Sequence, residues 1–276
     1  MGLTDQHKKE LLLQASAVRE KTVELIYKGN GGHIGGDLSE VDILVATFDY
    51  MKHDPKNPEW EGRDYFILSK GHSAEAYYLV LHQHGYIENK DLEAFGSFGA
   101  KLGGHPCKKI RGVEANTGSL GHGLGLAAGM ALALKRDGKE NRVFVLTGDG
   151  ELAEGSNWEA AMSAGKFQLE NLTWIIDRNH LQISGDTEEV MPLEKLKEKT
   201  EAFGFYTMEI NGHDMDAIMA GLETKKEKPI CIIANTIKGK GMPCAENQAS
   251  WHHKTPSKEQ VEEMKQEMER YRKELS

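Results

Sequence analysis

Hydrophobic residues recur at helical spacing at the start of the chain. Between residues 5 and 28, apolar side chains such as Leu11 and Ala15 fall on one face of a helix, until a glycine-rich stretch interrupts them at 29–36. A second helix is predicted to start at Ser39, whose hydroxyl can cap it. Further helices are predicted over 77–84 and 126–135.

From residue 142 onward, short apolar runs alternate with helical patterns. Runs that are apolar throughout are typical of strands buried on both faces of a parallel sheet. We therefore predict a doubly wound, mainly parallel α/β sheet flanked by helices, with one earlier strand at 65–69 and a single domain over 1–276. A charged helix, capped by Ser257 and Gln260, is predicted to end the chain. The later strands are 142–147, 173–179, 205–210 and 229–236, and the helices between them are 157–167, 193–203 and 216–224.

Polar side chains and glycines follow the ends of four predicted strands, at 70–72, 148–150, 177–179 and 236–240. In a doubly wound sheet, ligands bind beyond the carboxyl ends of the strands. We therefore expect these four segments to share one rim of the sheet, and the candidate chemistry to lie there.

Asp149 and Asn179 stand one strand–helix–strand unit apart. One carboxylate and one amide oxygen suit a hard cation such as Mg²⁺, which keeps other oxygen ligands, including phosphates. Gly148 and Gly150 leave the backbone open to a phosphate. The competing interpretation is a turn aspartate and a capping asparagine. Just beyond, Glu151 is predicted to be solvated at the start of a helix.

Six of the twelve histidines lie in loops, most of them rich in glycine. A lone loop histidine is usually a solvated surface residue. Several on short glycine loops favour a different interpretation, in which the imidazoles contact a polyhydroxylated or phosphorylated ligand and transfer protons near neutral pH. These residues are His33, His72, His105, His122, His252 and His253.

Composition narrows the class of protein. The 276 residues carry a net charge of −9, which argues against broad binding to a nucleic-acid backbone. Cys107, Cys231 and Cys244 have no CxxC spacing, so neither a disulfide framework nor a zinc cluster is expected. No run reaches the roughly 18 apolar residues of a membrane span, and no signal region begins the chain. We expect a reduced, soluble, cytoplasmic protein that binds neither nucleic acid nor membrane.

Several segments together resemble the transketolase family. Gly148-Asp149-Gly150, followed by Asn179, resembles the motif that binds thiamine diphosphate. The resemblance covers essentially the whole chain and implies the thiamine-diphosphate-binding fold, with that cofactor and Mg²⁺, or Ca²⁺ or Mn²⁺ in its place. The segments that carry it are "GGHIGGDLS", "LSKGHSAEAYY", "GGHPCKKIRGVEANTGSLGHGLGLAAGMALA", "TGDGELAEGSNWEAAMSAG", "DRNHLQISG" and "TIKGKGMPCAENQASWHHKTP", in the order of the family.

The resemblance implies roles for individual residues. Asp149, Asn179 and the main-chain carbonyl of Leu181 are similar to the metal ligands of the family. His33, His105 and His252 are similar to the catalytic histidines that move protons to and from sugar hydroxyls. The cofactor contacts that it implies are His72, Gly118, Leu120, Gly150, Asn179 and His252, with Gly118 and Leu120 beside the aminopyrimidine and thiazolium.

Four further residues carry weaker expectations. Lys238 and Lys240 are candidates to help with phosphate. Glu154 resembles a carboxylate that links two active sites across a dimer. His122 stands where many family members have glutamine. The histidine resembles the bacterial form of the enzyme that two genes encode, and it changes the contacts expected with the donor sugar.

Complete transketolase chains also contain a domain that supplies the glutamate that activates the cofactor. The resemblance therefore implies an N-terminal subunit that is inactive without a separate C-terminal transketolase subunit, in an α2β2 assembly. Such an enzyme transfers a two-carbon ketol unit from a ketose phosphate, such as xylulose 5-phosphate, to an aldose phosphate.

Two other interpretations remain open on the sequence. One is a subunit of a specialised sugar or sulfosugar transketolase, or of an enzyme similar to deoxyxylulose-phosphate synthase. The other is a non-catalytic assembly or regulatory subunit with a degenerate site. The intact Asp149 and Asn179 pair argues against the second of these.

Overall fold

The computed structural model describes residues 2–275. The helices are α1 (Asp5–Gly29), α2 (Ile34–Tyr50), α3 (Ala74–Gln83), α4 (Asn89–Glu93), α5 (Gly123–Arg136), α6 (Gly155–Lys166), α7 (Thr187–Val190), α8 (Leu196–Ala202), α9 (Met215–Glu223) and α10 (Lys258–Glu274). The strands are β1 (Tyr65–Leu68), β2 (Val143–Gly148), β3 (Leu172–Arg178), β4 (Leu181–Gln182), β5 (Gly185–Asp186), β6 (Tyr206–Asn211) and β7 (Ile230–Asn235).

Five parallel strands form the central sheet in the order β1-β2-β3-β7-β6. The predicted mainly parallel sheet flanked by helices is therefore confirmed. β2 and β3 are neighbours in a register that pairs Gly148 with Asp177, so Asp149 and Asn179 follow adjacent strand ends. A separate antiparallel hairpin joins β4 to β5. The hydrophobic pattern did not predict it, because each of its strands has only two residues.

The strands bury alternate side chains on opposite faces of the sheet. Phe144 and Leu146 belong to a core cluster shared with α1, α2, α3 and α9, whereas Val143 and Val145 belong to a cluster shared with α5 and α6. Because successive side chains of a strand point to opposite faces, a strand covered by helices on both sides must be apolar at every position. This explains the continuous apolar runs in the sequence.

The second helix begins earlier than predicted. α2 starts at Ile34, with His33 at the cap position, and not at Ser39. Ser39 is buried inside the helix, where its hydroxyl lies 2.9 Å from the Gly36 carbonyl and 2.5 Å from Asp177 Oδ2. A serine can occupy a helix interior when its hydroxyl finds such partners, and for that reason the capping prediction for Ser39 was wrong.

The C-terminal helix follows its prediction. Ser257 Oγ accepts from the Gln260 amide, and Gln260 Oε1 accepts from the Ser257 amide, which completes the capping box. Although charged, α10 contacts α1 through buried Val261, Met264 and Met268. Within residues 2–275, no helix has the length and apolar character required to cross a membrane.

A buried ion pair joins the carboxyl ends of the strands. Lys70, just after β1, places Nζ 2.5 Å from Asp177 Oδ2 of β3, and both residues are at most 1% exposed. Asp177 also accepts from the hydroxyls of Ser39 and Thr236, and Lys70 Nζ lies 3.1 Å from Glu40 Oε2. Burial alone would lower the pKa of Lys70, but the charges of Asp177 and Glu40 outweigh it and raise the pKa.

We predict that Lys70→Met lowers the free energy of unfolding by about 3–5 kcal/mol, because Asp177 would remain buried without its cation. Lys139→Met is the matched control. Lys139 pairs with Glu61 at the surface, where the side chains are 41% and 87% exposed, so its loss should cost less than about 1 kcal/mol. Urea titration of both variants measures the difference, and equal costs would show that the buried pair is dispensable.

Candidate cofactor-binding and active site

The four polar strand ends line one cavity of about 420 Å³ at the carboxyl edge of the sheet. The expectation of a shared rim is therefore confirmed. Every residue predicted above as a metal ligand, cofactor contact or catalytic histidine lines this cavity: His33, His72, His105, Gly118, Leu120, Asp149, Gly150, Asn179, Leu181 and His252. The structure thus brings together residues that lie far apart in the chain, and their individual roles remain predictions.

The three oxygen donors predicted for a metal follow β2 and β3. Asp149 is 2% exposed, and its Oδ2 accepts from the His180 amide at 2.6 Å and from Arg178 Nη1 at 3.3 Å. Asn179 Oδ1 accepts from the Leu181 amide at 3.1 Å. Leu181 lines the cavity, and its carbonyl accepts from a lysine described below.

The chemistry of these donors fits a divalent ion such as Mg²⁺. Burial raises the pKa of Asp149, and the neighbouring charge of Asp177 raises it further. A cation at this carboxylate would relieve both effects. Among residues 2–275, no group of three or more His, Cys, Asp or Glu side chains is placed to hold a metal. The candidate set is instead one carboxylate, one amide oxygen and one main-chain carbonyl, which suits a hard cation that also binds phosphate oxygens.

Most of the predicted histidines form a cluster in the same cavity. The ring of His33 lies 4.9 Å from that of His72, 5.4 Å from that of His252 and 6.4 Å from that of His105, measured between centroids. His253 also contacts His33, at 4.7 Å. The glycine loops bring these imidazoles together, as the sequence suggested.

Three histidines of the cluster, His33, His72 and His252, are neutral near pH 7. Burial, followed by the charges of nearby groups, lowers the pKa of His33 to about 4, of His72 to about 2 and of His252 to about 3. For His72 and His252 those groups are first Lys70 and Lys238, respectively. A neutral imidazole carries one N–H donor and one free acceptor nitrogen, so it can both give and take a proton at a hydroxyl group.

Lys238 enters the cavity from the segment after β7. The side chain is 2% exposed, and its Nζ lies 3.2 Å from the Leu181 carbonyl and 3.2 Å from His252 Nδ1. Burial and Lys70 lower its pKa to about 8. Lys240, the other candidate for phosphate, lies outside the cavity lining and pairs with Glu246 at 3.6 Å.

The prediction for Glu151 was wrong. Glu151 is 3% exposed, not solvated, and its carboxylate accepts from Ser69 Oγ, from the Gly121 amide at 2.9 Å and from the Gly148 amide at 3.1 Å. It therefore ties the segment at 148–150, at the end of β2, to the loop that carries Leu120. The sequence around Glu151 did not indicate its burial, because two of the three donors to its carboxylate lie 30 or more positions away in the chain.

Gly118 is required by geometry at its position. Its φ is +140°, and a Cβ there would lie 2.5 Å from His105 Cδ2. Only glycine lets the loop pass so close to the histidine wall. His122 and Glu154, by contrast, are exposed and do not line the cavity. The interface role of Glu154 and the sugar contact of His122 remain predictions.

The β4–β5 hairpin contributes lining residues that sequence reasoning did not single out. Gln182, Ile183 and Ser184 lie at the rim, and Ile183 is 74% exposed. An apolar side chain left open beside a polar cavity can cover an apolar part of a ligand. Its only signal in the sequence was an isolated isoleucine in a turn-rich segment.

Comparison with known proteins agrees with this geometry. The family model for the transketolase thiamine diphosphate binding domain matches residues 12–273. The chain belongs to the transketolase family. It is 46% identical over 262 residues to one of the subunits of the apulose-4-phosphate transketolase from Phocaeicola vulgatus, covering 94% of this chain and 93% of that one. It is 42% identical over 249 residues to 6-deoxy-6-sulfo-D-fructose transketolase subunit SqwG from a Clostridium species, covering 88% and 90% of the two chains.

Longer family members match over only part of their length. Transketolase from Homo sapiens is 35% identical over 270 residues, which are 96% of this chain and 43% of the human one. The crystal structure of transketolase from Campylobacter jejuni superposes with a TM-score of 0.91 at 36% identity, covering 94% of this chain and 42% of that one. This chain thus spans less than half of these relatives and nearly the full length of the subunits.

The neutral histidines make stability depend on pH. Because the ordinary histidine pKa of 6.5 is lowered in the fold, the unfolded chain binds more protons between pH 6.5 and 4 than the folded chain does. The free energy of unfolding should therefore fall as the pH falls through that range. We predict that His72→Asn reduces its slope near pH 5 by up to about 1.4 kcal/mol per pH unit, in cofactor-free protein.

Urea titrations between pH 5 and 6.5 measure this slope. His84→Asn is a matched variant, since burial lowers the pKa of His84 to about 4 at a place outside the cavity lining. Both substitutions should flatten the pH dependence, but only His72→Asn should also weaken cofactor binding. A slope unchanged by His72→Asn would contradict a neutral His72.

Proposed function

We propose that this chain is the N-terminal, thiamine-diphosphate-binding subunit of a two-chain transketolase, and that residues 1–276 form a single domain. The observation that carries the proposal is the convergence of Asp149, Asn179 and the Leu181 carbonyl with the histidine cluster in one cavity. Relatives of nearly the same length are named as subunits of transketolases, which supports the division into two chains.

The metal and the diphosphate occupy the β2–β3 side of the cavity in this proposal. Asp149, Asn179 and the Leu181 carbonyl hold Mg²⁺, or Ca²⁺ or Mn²⁺ in its place. The diphosphate carries negative charge that the buried ammonium of Lys238 can balance, because the contacts of that ammonium within the described residues are a carbonyl and an imidazole. The Gly150 amide, His72, Asn179 and His252 complete the diphosphate contacts.

The bound cofactor supplies a thiazolium that accepts the electron pair released when the carbon–carbon bond of a ketose breaks. The residues of this chain bind, orient and exchange protons around it. Gly118 and Leu120 would line the cavity beside the rings, and the exposed side chain of Ile183 would offer them an apolar contact. His33, His105 and His252 accept and return hydroxyl protons of the sugars, and the lowered pKa values of His33 and His252 keep those two imidazoles neutral near pH 7.

The second chain completes the site in this proposal. It is a C-terminal transketolase subunit that carries the glutamate that activates the cofactor, and two copies of each chain form an α2β2 assembly. Without it, this chain binds thiamine diphosphate weakly and has no turnover. The unpaired thiols of Cys107, Cys231 and Cys244 support action in a reducing cytoplasm.

The general reaction is transfer of a two-carbon ketol unit from a ketose phosphate, such as xylulose 5-phosphate, to an aldose phosphate. A specialised donor is the second candidate, because two relatives at more than 40% identity are named for apulose 4-phosphate and for 6-deoxy-6-sulfo-D-fructose. The chain is co-expressed with the C-terminal subunit encoded by a neighbouring gene and tested with these three sugars as donors. The preferred donor distinguishes the general from the specialised reaction. Preference for either specialised sugar would replace the general assignment.

We predict that Asp149→Ala weakens binding of thiamine diphosphate with Mg²⁺ on the order of 100-fold, because a charged metal ligand is lost. Asp216→Asn, on the exposed surface of α9, serves as the control and should leave affinity unchanged. Titration calorimetry on the full chain measures both.

Activity of the reconstituted complex provides the second readout. With Asp149→Ala, two-carbon transfer should fall with cofactor occupancy. An unchanged rate would favour a non-catalytic assembly or regulatory subunit, and normal turnover by this chain alone would overturn the two-chain proposal.

A further inference from the structure

A buried relay of polar side chains lies behind the segment that carries Lys238. Arg19 of α1 donates to the carboxylate of Asp42 of α2, with Nη1 3.0 Å from Oδ1. Asp42 Oδ2 lies 2.8 Å from His213 Nδ1, in the turn after β6. His213 Nε2 lies 2.8 Å from the amide nitrogen of Ile237, just after β7. The relay therefore connects two helices to two strand ends.

The contacts fix the protonation of the imidazole. The Ile237 amide can only donate, so His213 Nε2 must be the acceptor. The proton of the ring is therefore on Nδ1, which donates a hydrogen bond to the Asp42 carboxylate. Asp42 is 3% exposed, and although burial would raise its pKa, Arg19 and His213 outweigh that effect and lower it to about 2. The carboxylate is thus charged and can hold the ring in one orientation.

This arrangement differs from an acid–base pair at an active site. Both ring nitrogens of His213 are occupied, and the residue does not line the cavity. No nitrogen is free to exchange a proton with a substrate. The contact it makes with the backbone is therefore the feature to explain.

The backbone on both sides of Lys238 is held by hydrogen bonds. The neighbouring Gly239 amide donates to the Gly35 carbonyl at 2.9 Å, and the Lys238 carbonyl accepts from the Asn247 amide at 2.9 Å. With the His213 contact, the turn is held on both sides of Lys238. The side chain then enters the cavity, where its Nζ reaches the Leu181 carbonyl.

We propose that His213 is a positioning residue, which fixes the Ile237 amide so that the Lys238 ammonium stands at the phosphate end of the cofactor cavity. The role rests on the proposed binding of thiamine diphosphate with Mg²⁺. Asp42 and Arg19 orient the imidazole and so contribute to the same positioning role. A residue outside the cavity thereby sets the charge that an anionic ligand meets inside it.

A double-mutant cycle on the full chain tests this role, with the dissociation constant of thiamine diphosphate in the presence of Mg²⁺ as the readout. His213→Ala should weaken binding about 10-fold, as is typical for loss of a residue that orients a ligand-binding group. In the Lys238→Met background, His213→Ala should change affinity by less than about 2-fold, because the side chain it positions is gone. His213→Gln should restore part of the affinity, since its amide oxygen can accept from the Ile237 amide.

His53→Ala is the structural control. His53 contacts the Phe48 carbonyl at 2.9 Å and Tyr86 Oη at 3.2 Å, so its loss should lower the melting temperature without changing the dissociation constant. If His213→Ala lowers only the melting temperature, or if its effect multiplies with that of Lys238→Met, the positioning role is wrong. If Asp149→Ala also leaves affinity unchanged, the proposed function itself fails, whichever result the cycle gives. If His213→Ala does not fold, the same cycle is run with His213→Gln. A loss of affinity with His213→Gln that persists unchanged in the Lys238→Met background would contradict the positioning role.

Discussion

The buried ion pair between Lys70 and Asp177 holds the carboxyl edge of the sheet together. Asp177 lies one residue before the end of β3 and accepts from Lys70 after β1, from Ser39 in α2 and from Thr236 after β7. Each of these segments also contributes to the cavity or adjoins it. Because a buried charge is stable only when its partner is held in place, the pair sets the spacing of these segments. The site above it depends on that spacing.

The charges above this pair match the ligand that we propose. His33, His72 and His252 are neutral, whereas Lys70 and Lys238 place two buried cations in the same cavity. The raised pKa of Asp149 marks a carboxylate that lacks a full counter-charge. A metal ion bound to a diphosphate would add a cation beside Asp149, whose pKa is raised although Arg178 lies 3.3 Å away, and an anion beside Lys238. One ligand thus resolves two electrostatic costs of the cofactor-free fold.

The position of the cavity also explains why two chains are needed in the proposed enzyme. In the proposed enzyme the residues of this chain would hold the metal and the diphosphate, and the matching family model describes a thiamine diphosphate binding domain. Ile183 remains largely exposed at the rim. A second chain placed over this rim would cover it and bring the groups that activate the cofactor.

The sequence by itself determined the sheet class and the residues at the strand ends. Both depend on residues that are close together in the chain, since apolar runs alternate with helical patterns and Asp149 follows its strand directly. The tertiary structure decided the burial of Glu151 and Ser39, the start of α2 at Ile34 and the path from His213 to Lys238. Whether a polar side chain is buried depends on partners that lie far away in the chain, such as Asp177 for Ser39, 138 positions on. Periodicity describes neighbours in sequence, and it carries no information about which distant donor or acceptor the fold will supply.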